Sequence, residues 1–430
     1  MEKHLLSKST FIKGYHCLKS LYLHKKRPFL RDRLTAEQLA KFRRGHQIGD
    51  LAQQLFPNGI DVSPKSPSQY QKSAIRTQEL IANGQEVIYE ATFQFEKVLV
   101  MLDILVKTPQ GWEAYEVKSS KSLSETYFTD AALQYWVISH SGLALQKFSL
   151  IYVNENYRLE KELDLNSYFI TQDVSKEVQE KSIFIGEKIK EEKEMLQEAH
   201  SPKTSVGNHC FSPYKCDFVG FCWKKINPKP YLPKSLNTKE SPISIKKDRL
   251  AISFIFGEQA LPLCPGDKAY QTNCIGYKLG EEKAVIIGES CEEKAKFVHE
   301  FFQNIPQNTF FITDNALALE NWIHDLIPAF PSYKKSAERL LENTQGIIDD
   351  LESAQIFTRK ERHLYPLAYL AKELLKDNSL SKSPINSDLL AQRLFLKIEK
   401  DLFSDISPET AQLQAYLEEK VGIIKNFTML

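Results

Sequence analysis

The sequence predicts an α/β protein of two domains, and three observations carry that prediction. At 430 residues the chain is longer than one hydrophobic core ordinarily serves. Its first half passes from helical periodicity to strand alternation and back. The stretch 226–244 then holds four prolines and follows neither period, as a linker does. Domains over 1–225 and 245–430 follow.

Taken in order, Ser7 or Ser9 can cap a helix over 7–30 whose apolar positions are Phe11, Ile12, Tyr15, Leu18, Leu21 and Tyr22, with Pro28 closing it. A second helix, 36–55, packs through Phe42, Ile48, Leu51 and Leu55 and ends before Pro57-Asn58-Gly59. A short helix around 73–83 follows. Segments 87–89, 91–95, 98–106 and 112–117 are rich in β-branched and aromatic residues, and turn residues such as Thr108 to Gly111 separate them. A helix over 129–141 and a strand over 148–153 complete an α/β order of helices, antiparallel meander, helix and returning strand. The charged helix 174–200 leads to three clustered cysteines. Beyond the linker, 250–256, 284–287 and 310–312 read as strands, and the C-terminus as helical.

With 42% hydrophobic and 26% charged residues the composition is that of a globular protein. The apolar run Val98 to Leu105 is broken by Asp103 and is too short to span a bilayer. The first ten residues lack an apolar leader core, so a cytoplasmic setting without membrane attachment is expected. Seven cysteines make an odd count for a disulfide framework, and Cys264, Cys274 and Cys291, lacking ligand-like spacing, are expected to be ordinary thiols. Net charge is only +1, but residues 1–50 hold seven Lys and five Arg against four acids. That excess suits a polyanion or a solvated helix face.

The chemistry concentrates in Asp103 and in Ala114-Tyr115-Glu116-Val117-Lys118. Phosphodiester hydrolysis calls for a divalent cation on oxygen ligands. On neighbouring antiparallel strands Asp103 and Glu116 can converge on one Mg²⁺ or Mn²⁺ ion, with the Val117 carbonyl as a further ligand. Lys118, two residues after Glu116, shares its face and can orient or deprotonate the water. Glu-x-Lys is frequent by chance. Asp103, however, interrupts an apolar strand, where a buried carboxylate needs a partner or an ion. Gln134, on the next helix with Asp130, could bond phosphate or support Lys118; an exposed helical glutamine is the simpler alternative. His46 and Asp50, four apart on a helix, are candidate additional metal ligands, and Glu90 is another.

Cys210, Cys216 and Cys222 are spaced too widely for the usual zinc ribbon. Iron-sulfur clusters take looser spacing and a distant fourth thiolate, for which Cys17 is the natural choice. Free thiols, or zinc using His209 or His16, are the alternatives. Phe211, Tyr214, Phe218, Phe221 and Trp223 could screen a cluster from water.

The order of these motifs resembles RecB-type PD-(D/E)XK nucleases that carry a four-cysteine [4Fe-4S] cluster, the group containing the AddB nuclease domain and the CRISPR adaptation exonucleases. Within it the likeness is greatest to an uncharacterised two-domain bacterial family. The matching stretches run from Ser7-Lys8-Ser9 and Cys17 to Tyr22, through Gly45 to Leu51, Tyr89-Glu90-Ala91, Asp103-Ile104-Leu105, Tyr115 to Ser119 and Asp130 to Tyr135, to Cys210 through Trp223. The resemblance implies a restriction-endonuclease-like core with Asp103, Glu116 and Lys118 as catalytic set, Gln134 as supporting glutamine, the four cysteines as cluster ligands, and DNA as partner, single-stranded or at ends, with RNA left open. One departure is Gly49, where many members place a histidine; His46 or Asp50 would have to substitute. The second half is similar to a DnaQ-type, RNase-H-like domain. Ile252-Ser253-Phe254-Ile255 lacks that pattern's carboxylates, although Asp314 and Asp349-Asp350 remain, so an inactive binding domain is implied. The alternative for the whole chain is an inactive nucleic-acid-binding or assembly protein that keeps the nuclease fold.

Overall fold

The computed structural model describes residues 3–32, 36–224, 248–259, 261–287, 290–306, 308–354, 366–398 and 408–429. The expected linker 226–244 lies outside them. Mixed α/β structure fills two compact units. One is Met1–Asn154 with Asp164–Asn227; the other is Glu155–Leu163 with Pro228–Leu430. Segment Glu155–Leu163, sequence-contiguous with the first unit, therefore belongs to the second. No helix among the described residues is long and apolar enough to cross a membrane.

The first unit opens with β1 (Leu6–Ser7), α1 (Lys8–His16), α2 (Leu18–Lys26), α3 (Ala36–Gln53), β2 (Ile60–Asp61) and α4 (Tyr70–Ala82). The single helix expected over 7–30 is instead broken at Cys17, whose φ of −163° and ψ of 112° are extended. Side-chain periodicity runs through the break unaltered, so only the backbone reveals it. Then come β3 (Val87–Phe95), β4 (Val98–Thr108), β5 (Gly111–Lys118), α5 (Glu125–His140), β6 (Leu145–Val153), α6 (Leu165–Tyr168), β7 (Phe169–Asp173), α7 (Ser175–Gln197) and α8 (Val219–Cys222).

The sheet order is β2-β3-β4-β5-β6-β7, with β1 parallel to β4. Strands β3, β4 and β5 form an antiparallel meander, and β6 runs parallel to β5 after α5. The β3–β4 turn consists of Glu96 and Lys97, both at positive φ, the two-residue geometry that matches strand twist. Helix α5 buries Ala131, Ala132, Leu133, Val137 and Ile138 between the sheet and α7. A helix apolar on most sides must be covered on most sides. On α7, Glu192 is fully buried and neither of its carboxyl oxygens has a partner. It faces Gly14 of α1, where a methyl group would collide with the carboxyl.

The second unit contains β8 (Leu250–Gln259), β9 (Gln271–Leu279), β10 (Val285–Ile286), α9 (Cys291–Asn304), β11 (Phe311–Thr313), α10 (Ala316–Leu326), α11 (Lys334–Glu342), β12 (Thr344–Gly346), α12 (Ile347–Ser353), α13 (Leu367–Leu370), α14 (Ser379–Lys382), α15 (Asp388–Ile398) and α16 (Pro408–Phe427). Its sheet is ordered β10-β9-β8-β11-β12, antiparallel through β10, β9 and β8 and parallel through β8, β11 and β12. Phe254, Phe301, Trp322, Leu417 and Phe427 are among its core. Segment Glu155–Leu163 is tied in by backbone bonds: the Leu159 amide donates to Asp267 (2.8 Å), Gly266 to Leu159 (2.7 Å) and Ala269 to Tyr157 (3.1 Å). Cys264 and Cys291, expected as ordinary thiols, are joined as a disulfide. Their Cα atoms are 5.2 Å apart, within bridging range, which spacing along the chain could not reveal.

Candidate functional site

Three carboxylates meet across the middle of the first sheet. Tyr89 and Ala91 of β3 pair with Ile104 and Leu102 of β4, so Glu90 and Asp103 face one another in the register. Ile104 pairs with Tyr115 of β5, which brings Asp103 beside Glu116. Glu90 has φ 55°, an uncommon conformation for a residue with a side chain, at the one place in β3 where pairing skips. Acidic groups adjacent across strands repel, and the chain supplies compensation from elsewhere. The Val117 amide donates to Asp103 Oδ2 at 2.6 Å. Glu116 is 1% exposed, and its Oε1 receives Lys118 Nζ at 2.8 Å and Lys8 Nζ at 2.7 Å. Lys118 also pairs with Asp130 of α5 and stands 5.2 Å from the centre of the Tyr127 ring. Glu116 Oε2 and Asp130 Oδ1 are buried with no partner.

The electrostatics follow from this crowding. Burial pushes Glu90 up to about 7, with Glu116, Asp61 and Asp50 adding to the shift and Lys8 opposing it. Burial, then Glu116, drives Asp103 well above the usual carboxylate range against the pull of Lys8 and Lys118. Glu116 goes the other way: burial disfavours its charge, but Lys118 and Lys8 outweigh that and hold it below its usual range. Burial also works against the two ammonium groups, and the carboxylates overcome it, so Lys118 and Lys8 both lie above the ordinary lysine range. Four carboxyls thus share two ammonium groups.

Lys8 had no assigned role in the sequence, because its partner Glu116 is 108 residues away. Gln134 is wholly buried rather than exposed, and neither amide atom has a partner. His46 and Asp50 are both exposed on α3, and the Asp50 charge reaches Glu90. At Gly49 a methyl group would meet nothing within 4 Å.

The four cysteines line one cavity of about 40 Å³, together with His16, His209 and Tyr214. Cys17 sits at the break between α1 and α2, and Cys216 Sγ lies 3.5 Å from Ser20 Oγ. Burial raises the Cys17 thiol while the amides of Ser20 and Lys19, at the start of α2, pull it back. Asp217 anchors the cysteine segment through Lys13 (2.5 Å) and Arg31 (3.0 Å). Among the described residues no three His, Cys, Asp or Glu side chains are arranged to hold a metal ion as they stand.

No family model matches the chain, and no curated protein matches it. A solved structure titled "Crystal structure of SSO0001" aligns at 11% identity over 53% of this chain and 88% of that one, with a TM-score of 0.19. A likeness that slight carries no argument.

The second unit has its own ionic centre. Lys420 of α16, 1% exposed, donates to Asp388 Oδ1 (2.8 Å) and to the Phe254 carbonyl (2.7 Å), and pairs with Asp314 Oδ2 at 2.9 Å. Ser253 Oγ lies 3.4 Å from Asp314 Oδ1, and Tyr416 donates to Asp388 at 3.0 Å. Burial pushes Asp314 up while Lys420 opposes it. Asp388 and Lys420 come from helices that sequence reading left without a chemical role.

Proposed function

We propose that the first unit is a divalent-metal-dependent phosphodiesterase acting on DNA, at ends or on single strands. The observation that carries this reading is Glu116: two ammonium groups hold one carboxylate oxygen while the other is buried without a partner, beside Asp103 and Glu90. A hard cation suits such an all-oxygen set, and one dication offsets the excess of carboxyls over ammonium groups. Asp103, Glu116 and Glu90 would hold it, and it would supply charge neutralisation at phosphorus and a more acidic attacking water. Asp130 and Glu116 favour the Lys118 ammonium, which would act as a donor and charge stabiliser toward the phosphate and orient the attacking water. Lys8 holds Glu116 ionised and oriented. The four-thiol cavity fits a thiophilic group, and a [4Fe-4S] cluster bound by Cys17, Cys210, Cys216 and Cys222 would join the N-terminal helices to the 210–222 segment.

The second unit reads as a binding or scaffolding domain. Asp314 and Asp388 already enclose the Lys420 ammonium, so they have no need of a metal ion.

The test is degradation of labelled single-stranded DNA, duplex DNA and RNA with Mg²⁺ or Mn²⁺, comparing wild type with Lys118→Ala. Loss of an electrostatic stabiliser of this kind lowers the rate by about 10²-fold or more. Equal rates would remove the assignment.

A further inference from the structure

Cys264 and Cys291 lie on backbone that is fixed without the bond between them. Cys264 belongs to the turn 261–269, which the buried Asp267 organises: its Oδ2 receives the amides of Leu263 (3.1 Å) and Cys264 (3.0 Å), and its Oδ1 receives Lys294 Nζ at 2.6 Å. Cys291 opens α9, whose start is closed by a capping box, the Glu293 amide donating to Ser290 Oγ (3.1 Å) and the Ser290 amide to Glu293 Oε2 (2.9 Å). Asp267 and Lys294 each stand three residues beyond a cysteine, so the ion pair and the sulfur bridge tie the same turn to the same helix side by side. With the sulfur bond open, the ion pair still keeps the two thiols in reach. Access differs between them: Cys264 is 2% exposed, whereas Cys291 is half-buried. The other five cysteines are free thiols. The turn is also the platform for 155–163, since Arg158 Nη1 donates to the Gly266 carbonyl at 3.0 Å and Arg158 bridges Lys268, beside the three backbone bonds already described.

We propose that Cys264 and Cys291 form a reversible dithiol–disulfide site for hydroperoxides, and that its oxidation state sets how firmly segment 155–163 is held. The inference is independent of the chemistry read for the first unit. Cys291, the accessible sulfur, reacts first: its thiolate attacks the peroxide, an S–O bond forms as the O–O bond breaks, and a sulfenic acid and hydroxide result. Cys264 then attacks that sulfur, the S–S bond forms, and hydroxide leaves. The two thiols give up two electrons and two protons, and the hydroperoxide becomes water and an alcohol, or two waters from hydrogen peroxide. A small dithiol reverses the step by attacking Cys291, expelling the Cys264 thiolate and closing to its own disulfide. A permanent staple is the poorer reading, because such bridges serve domains too small to bury a core, and this unit buries Phe254, Phe301, Trp322 and Phe427.

The experiment takes the full chain, reduced with dithiothreitol and then treated with stoichiometric hydrogen peroxide, through differential alkylation with peptide mass spectrometry and through hydrogen exchange. Peptide mapping reads this pair alone, whatever the other thiols do. The 264–291 bridge should form, open again with dithiothreitol and re-form over repeated cycles, with the far-UV circular dichroism unchanged. Exchange at the amides of Leu159, Gly266 and Ala269 should be at least about tenfold slower in the oxidised protein, because closing the loop suppresses local opening. In Cys264→Ser, dimedone should trap a sulfenic acid on Cys291, while Cys291→Ser should leave Cys264 largely unlabelled. Equal exchange in the two states would overturn the link to 155–163, and equal labelling of the two variants would overturn the order of attack. Loss of structure on reduction would overturn the inference as a whole, by making the bridge a staple, and so would a pair that peroxide leaves as thiols.

Discussion

Glu192 offers a stability measurement whose sign and size follow from its surroundings. Its carboxyl is fully enclosed between α7 and α1, without a hydrogen-bond partner, and burial raises its pKa to about 9, with Lys188 opposing. In the unfolded chain the same group titrates near its ordinary value of about 4.3. Between those two values the folded protein keeps a proton that the unfolded chain has released. The stability this group contributes is thus fully present below about pH 4.3 and is lost as pH rises toward 9. The slope is about 1.4 kcal/mol per pH unit, so the loss reaches as much as ~4 kcal/mol by pH 7 and somewhat more by pH 8. Glu192→Gln keeps the shape and cannot ionise. The variant should match wild type within about 1 kcal/mol at pH 5 and exceed it by a few kcal/mol at pH 8. Urea unfolding followed by far-UV circular dichroism at pH 5, 7 and 8 reads this in the transition of the first unit. A difference between the two proteins that stays constant with pH would refute the argument.

Lys420→Met removes the ammonium that Asp314 and Asp388 share while keeping most of the side-chain volume. The second unit should lose about 3–5 kcal/mol; a loss below about 1 kcal/mol in the same denaturation assay would mean that the ion cluster does not organise that core. Anaerobically purified wild type should carry iron and absorb near about 400 nm, and Cys17→Ser should lose both while Cys274→Ser keeps them. Iron retained by the Cys17 variant would show that this thiol is not a ligand.

Strands β3 to β6 were legible because alternation, β-branched residues and turn residues coincide there. Short β1 and β2 were not, since two residues set no period and their pairing is decided by β4 and β3. Strand β9 was hidden by Gln271, Asn273, Gly276 and Lys278, which interrupt its apolar pattern. At the site, Asp103, Glu116 and Lys118 stood out because residues two apart on a strand share a face and a carboxylate in an apolar strand asks for a partner. Lys8 and Lys420 did not, because each finds its carboxylates far along the chain. The Cys264–Cys291 bridge was invisible for the same reason, and Phe42 misled because periodicity assigns a side chain to a face without knowing what covers that face.

The allegiance of Glu155–Leu163 bears on how the halves of this protein can be studied. A C-terminal piece started at residue 228 would omit a stretch that buries Tyr157 and Leu159 and supplies backbone partners to Gly266, Asp267 and Ala269. Two amides and a carbonyl would be stranded at one margin of such a truncation, an open edge of the sort that invites aggregation. Supplying 155–163 as a peptide, or grafting it onto the fragment, addresses that deficit directly.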